Sequence, residues 1–167
     1  MDNLILIGMP GSGKSTLGVI LARRLGYGYL DTDSFISQRE KCTLQKIIDE
    51  KGLDKFLEIE SSVGSEIVCD RVIIATGGSM VMSKEAMENL KSLGKVIFID
   101  VELKELKRRL SDYSDRGIAM KNGETLEDIY STRLPYYEKY ADITVRYKEG
   151  NSLEDTASDI IKQLNSN

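Results

Sequence analysis

Short apolar runs alternate with longer amphipathic stretches along this chain. Residues 4–7 (LILI), 27–30, 72–75, 96–100 and 143–145 are runs of branched, aliphatic and aromatic side chains, each the length of a buried strand. Between them, apolar residues recur at helical spacing, as at Leu17, Ile20, Leu21 and Leu25. The pattern predicts helices over 15–25, 83–92, 103–110, 126–140 and 152–164, with Gly26 closing the first and Pro135 interrupting the fourth. Residues 34–69 carry a broken 3.6-residue pattern, through Ile36, Leu44, Ile47, Phe56, Ile59, Val63 and Ile67, with Gly52 as a break. That span is longer than a strand-to-strand crossover needs, so it predicts a small helical subdomain, about 33–62. Five strands alternating with helices predict an α/β fold: a three-layer α/β/α sandwich around a five-stranded parallel sheet.

Composition narrows the class. The 167 residues suit one domain, 1–167, with a sizeable core. The net charge of −4 gives no reason to expect nucleic acid or a membrane as partner. No apolar run is long enough to span a bilayer or to serve as a signal peptide. Cys42 and Cys69 are isolated thiols without metal-ligand spacing, as expected of a cytoplasmic protein, here expected to be a monomer. The chain has no histidine, so proton transfer must fall to carboxylates or lysine.

The first strand runs into Gly8–Ser15, which fits G-x-x-x-x-G-K-[ST] and opens a helix. Glycines let the backbone approach an anion, and the N–H groups at the helix N-terminus face it. Gly11, Ser12, Gly13, Lys14, Ser15 and Thr16 are therefore the candidate ATP-binding segment. Lys14 would reach the β- and γ-phosphates. Ser15 and Asp31 are the candidate ligands for Mg²⁺, a cation that takes oxygen ligands and keeps several waters. Strand two ends in Asp31-Thr32-Asp33, where Asp33 can orient or deprotonate an acceptor hydroxyl; either aspartate can equally cap the next helix. Strand three ends in Thr76-Gly77-Gly78-Ser79, open to a close approach by a ligand. It lacks the aspartate of the large motor ATPases, which favours a small-molecule kinase. Residues 111–124 read as a lid loop carrying Arg116, placed to neutralise charge on the transferred group.

These motifs together resemble the shikimate kinase family of P-loop proteins. The resemblance rests on GMPGSGKST at 8–16, LDTD at 30–33, ATGG at 75–78, Arg116 and RLPYYEKYAD at 133–142, and spans nearly the whole chain. It implies strand order 2-3-1-4-5, ATP and Mg²⁺ as co-substrate and cofactor, and shikimate as the anionic, hydroxylated acceptor. It further implies Lys14, Asp33 and Arg116 as catalytic residues, and Gly77, Gly78 and Arg133 as acceptor contacts, Arg133 gripping a carboxylate. Arg109 falls where the family packs an arginine on adenine, and Arg146 near that end of the site.

Three positions depart from the family pattern. Leu57 stands where an arginine would help hold the acceptor carboxylate, a loss of roughly 1.5–3 kcal/mol of charge-assisted contact. Ser79 replaces a third glycine, and Gly117 replaces a proline after Arg116. Leu57 and Ser79 are therefore counted as acceptor-site residues. The rivals to an ATP:shikimate phosphotransferase are a kinase for another small anionic metabolite (a sugar acid, a hydroxy amino acid or a nucleotide) and an ATP-binding regulator without turnover.

Overall fold

The computed structural model describes residues 3–111 and 118–166. The order is β1 (Asn3–Ile7), α1 (Lys14–Leu25), β2 (Gly28–Asp31), α2 (Thr32–Glu40), α3 (Leu44–Lys51), α4 (Leu53–Glu66) and β3 (Val72–Ala75). Then come α5 (Lys84–Leu93), β4 (Gly94–Asp100), α6 (Leu103–Leu110), α7 (Leu126–Tyr140), β5 (Ile143–Arg146) and α8 (Leu153–Asn165). The five strands form one parallel sheet in the order β2-β3-β1-β4-β5. Every residue of β1 is buried, as expected of a central strand covered by helices on both faces. The main core joins β1, β3 and β4 to α1, α5, α7 and α8 through residues such as Ile5, Leu21, Ile74, Leu90, Phe98, Tyr137 and Ile160.

Helices α2, α3 and α4 fill the span between β2 and β3. They close around a second, smaller core of Ile36, Ile47, Phe56, Ile59 and Val63, to which Ala119 adds its methyl group. Polar residues cap the starts of α2, α3, α5, α7 and α8. Asp31, Thr43, Ser83, Thr125 and Ser152 each accept a hydrogen bond from a backbone N–H of the first turn.

Two expectations need adjusting. Helix α7 runs unbroken from Leu126 to Tyr140 with Pro135 inside it. The carbonyl that Pro135 leaves without a helical partner belongs to Ser131; both residues are exposed, so water can satisfy it. After β3, the chain makes a 3₁₀ turn over Met80–Met82, which no periodicity in the sequence announced. Arg116 and Gly117, the heart of the expected lid, lie outside the described residues.

The sheet is pinned at the amino ends of its strands by Asn3, which is 2% exposed. Its Nδ2 donates to the carbonyls of Cys69 and Leu93, and its Oδ1 accepts from Val72 N–H. Asn3→Ala leaves three backbone groups without these partners, and is expected to cost about 2–4 kcal/mol, read as a lower urea midpoint at unchanged slope.

Candidate active site

The site lies at the carboxyl ends of β1, β2 and β3. The phosphate loop leaves β1 through Gly8 (φ 150°), where a Cβ would stand 2.8 Å from the Ile99 carbonyl oxygen. Glycine is therefore required by both torsion and space. Gly11 and Gly13 also take positive φ, of 81° and 91°, and Gly13 caps α1 without a side chain. The first-turn amides of α1 are left facing the cavity, the arrangement that binds phosphate. Lys14 folds back over the loop, its Nζ donating to Gly8 O (2.8 Å), Met9 O (2.9 Å) and Ser12 Oγ (3.3 Å). Thr16 also lines the cavity.

Asp31 does two jobs. Its Oδ1 caps α2 by accepting from Ser34 N–H, and its Oδ2 accepts from Ser15 Oγ at 2.6 Å. Tyr29 donates its hydroxyl to the Ser15 carbonyl and to Asp31 Oδ2, which ties strand two to the phosphate loop. Burial, and then the charge of Asp31, push the Tyr29 phenol up to about 12. The Ser15 hydroxyl and the Asp31 carboxylate form a small, hard oxygen donor set that fits Mg²⁺, which binds with few protein ligands plus phosphate and water. No group of three or more His, Cys, Asp or Glu residues suited to a metal occurs among the described residues.

Asp33 sits in the first turn of α2, facing Gly77. Thr32 Oγ1 accepts from Gly77 N–H at 2.9 Å, and Thr76 anchors the loop by donating to Leu6 O. Gly77 and Gly78 lie outside the left-handed φ range; close approach is what requires them. A Cβ on Gly77 would stand 2.5 Å from Glu60 Oε2 and 2.6 Å from Asp33 Oδ1, and one on Gly78 would meet Pro10 and, at 3.2 Å, Arg133 Nη1. Arg133 is buried on α7, and its Nη2 donates to Ala119 O at 2.6 Å. Tyr137, one turn on, stacks on Phe98 and donates its hydroxyl to Gly78 O at 2.6 Å. These groups share one cavity of about 420 Å³, lined among others by Lys14, Ser15, Asp31, Asp33, Glu60, Gly78, Ser79 and Arg133.

Two buried carboxyls in one cavity repel one another and lose hydration. Burial, reinforced by the Asp31 charge and opposed by Lys14, pushes Asp33 up to about 6. Burial also pushes Glu60 up to about 7, with the Asp33 charge adding to it; the Ser79 hydrogen bond, Arg133 and Lys14 pull the other way. Glu60 Oε2 and Arg133 Nε are buried atoms without a hydrogen-bond partner among the described residues. In a cavity this size, they mark where a polar ligand would be received.

Glu60 was missed in the sequence, where it reads as one more charge on a polar helix. The available signal was its place four residues after Phe56, so that both face inward from α4. Leu57, expected in the acceptor wall, is not among the cavity's lining residues. Phe56 and Glu60 define the face of α4 turned to the cavity, and Leu57 packs half-buried against the core of the helical subdomain. Arg109 and Arg146 also lie outside the central cavity. Arg109 rests against the back of the phosphate loop, donating to Gly11 O (3.1 Å) and Glu105, with its guanidinium 4.6 Å from the centre of the Tyr147 ring. Arg146 is largely exposed and paired with Asp100.

Comparison with known proteins agrees with this geometry. A family model described as shikimate kinase matches residues 10–165. A shikimate kinase of Rippkaea orientalis is 36% identical over 165 residues, covering 97% of this chain and 87% of the relative. One from Clostridium botulinum is 36% identical over 156 residues, covering 89% and 91%. The structure of a shikimate kinase from Acinetobacter baumannii in complex with shikimate superposes with a TM-score of 0.90 at 27% identity, covering 99% of this chain and 94% of that one. With strand order, phosphate loop and acceptor cavity all in agreement, the chain belongs to the shikimate kinase family.

Proposed function

We propose that this chain transfers the γ-phosphate of ATP to the 3-hydroxyl of shikimate, yielding shikimate 3-phosphate and ADP. The observation that carries the reading is a single cavity in which the phosphate loop, an anion-binding arginine and two carboxyls meet: Lys14, Arg133, Asp33 and Glu60. Phosphoryl transfer asks for alignment and charge neutralisation more than covalent chemistry, and the division of labour here follows that demand.

The loop amides and Lys14 hold the nucleotide phosphates. Ser15, with Asp31 behind it, is the seat for Mg²⁺, which when bound supplies charge neutralisation on the phosphates. Arg133 receives the acceptor carboxylate through its partnerless edge, which aligns the ring of the acceptor beneath Gly77 and Gly78. Asp33 accepts a hydrogen bond from the attacking hydroxyl and takes its proton as the bond to phosphorus forms. Arg116 on the lid adds positive charge to the transferred group, and Arg109 and Arg146 border the nucleotide. The free thiols Cys42 and Cys69 support a reducing, cytoplasmic setting.

The reading is tested by ADP release with Mg-ATP, shikimate and a panel of other hydroxylated acids. Saturable turnover on shikimate is the expected result; turnover confined to another acid overturns the substrate and keeps the mechanism. Asp33→Asn is expected to lower kcat by about 10²–10³-fold while leaving ATP affinity unchanged by calorimetry, because only the proton acceptor is removed. Wild-type turnover by that variant removes Asp33 from the mechanism. The raised Asp33 also sets a pH limb. The group works as a base only when ionised, so kcat/KM is expected to fall tenfold per pH unit below about 6 and to level off above it.

A further inference from the structure

We propose that Ser79 is a positioning residue for acceptor binding: its hydroxyl holds the Glu60 carboxyl so that the other oxygen is turned toward the acceptor's hydroxyls. The inference rests on the reading of this cavity as the acceptor site. Glu60 is 2% exposed and lines the cavity from α4. A carboxyl taken this far from water needs partners, and the terminal torsion of a glutamate has no strong preference of its own. Glu60 has one hydrogen bond among the described residues, from Ser79 Oγ to Oε1 at 2.6 Å. Oε2 has none, and it stands beside Gly77 close to Asp33 Oδ1. One turn earlier on α4, the neighbours of Glu60 on the helix surface are Phe56 and Leu57, and neither offers a side-chain donor.

Ser79 is a firm anchor for this contact. It is 5% exposed, and it stands at the entry to the 3₁₀ turn over Met80–Met82, where its carbonyl accepts from Met82 N–H at 3.0 Å. Its Cβ direction is therefore set by the backbone. The segment 77–79 thus contributes a side chain to the site as well as two glycines. The charged groups that face Glu60 are Asp33 from α2, Lys14 from α1 and Arg133 from α7. Asp33 repels the Glu60 carboxylate, and the charges of Arg133 and Lys14 favour it. The Ser79 hydrogen bond to Oε1 leaves Oε2 as the oxygen turned into the cavity.

The test is a double-mutant cycle on the whole chain with Mg-ATP and shikimate. Ser79→Ala is expected to raise the shikimate KM about tenfold, the loss of one hydrogen bond to a charged group, while kcat and the ATP KM stay within about twofold. In a Glu60→Ala background, the same substitution is expected to have no further effect, because nothing is left to position. An unchanged shikimate KM overturns the proposal. So does a fall in kcat with a rise in both KM values, or an equal effect when Glu60 is already absent. A parent protein that binds Mg-ATP and leaves shikimate untouched sinks the functional reading instead. The Ser79 proposal is then decided by the carboxyl ¹³C titration of Glu60 in the unliganded protein. Ser79→Ala moves its midpoint to higher pH if the hydroxyl holds the carboxyl, and an unmoved midpoint overturns it.

Discussion

Parallel pairing of β1 between β3 and β4 is the constraint on which the rest of the molecule depends. Parallel strands cannot be joined by tight hairpins, so each is followed by a crossover, and the carboxyl ends of neighbouring strands open at the same rim. With β2 beyond β3, that rim receives the phosphate loop after β1, the aspartates after β2 and the two glycines after β3. None of the three segments makes a site alone. Registers such as Asp31 beside Ala75 and Leu6 beside Ala75 bring their ends together, and Tyr29, Thr32 and Thr76 then stitch them by hydrogen bonds.

The cavity so formed concentrates charge in a place poor in water. Lys14 and Arg133 share the cavity with Asp33 and Glu60, and Lys14, Arg133 and Glu60 are buried there. Burial lifts both carboxyls, Asp33 toward the range where a group can accept a proton and return it. The same burial explains why Gly77 and Gly78 are glycines. Their missing side chains leave the space that two carboxyls, a proline ring and a guanidinium occupy.

The cavity is built from two halves of the fold. The phosphate-loop half presents backbone amides and a helix terminus, which are fixed by the main chain and tolerate variation in side chains. The other half presents side chains from α2, α4, α7 and the turn after β3, so it depends on how the helical subdomain packs against the sheet. Changes at Leu57 and Ser79 fall in this second half, and the first half keeps every residue its motif requires.

Much of this was readable along the chain. The five strands, the parallel sandwich and the phosphate loop that carries Lys14 and Ser15 follow from local pattern, because periodicity, glycine placement and a strand–loop–helix context are properties of neighbours in sequence. Other features were not. Glu60 looks like any surface glutamate until α4 turns it inward. Leu57 was expected in the cavity wall and packs instead against the core of the subdomain. Pro135 reads as a break, yet it lies on an exposed helix face where a lost hydrogen bond can be met by water. By itself, the sequence determined the strands, the helices and the phosphate-binding chemistry, since these depend on contacts within a few residues. Only the tertiary structure decided the face each helix turns to the cavity and the pairing of Ser79 with Glu60. The pairing joins groups 19 residues apart across two elements, and both features depend on burial that no stretch of sequence contains.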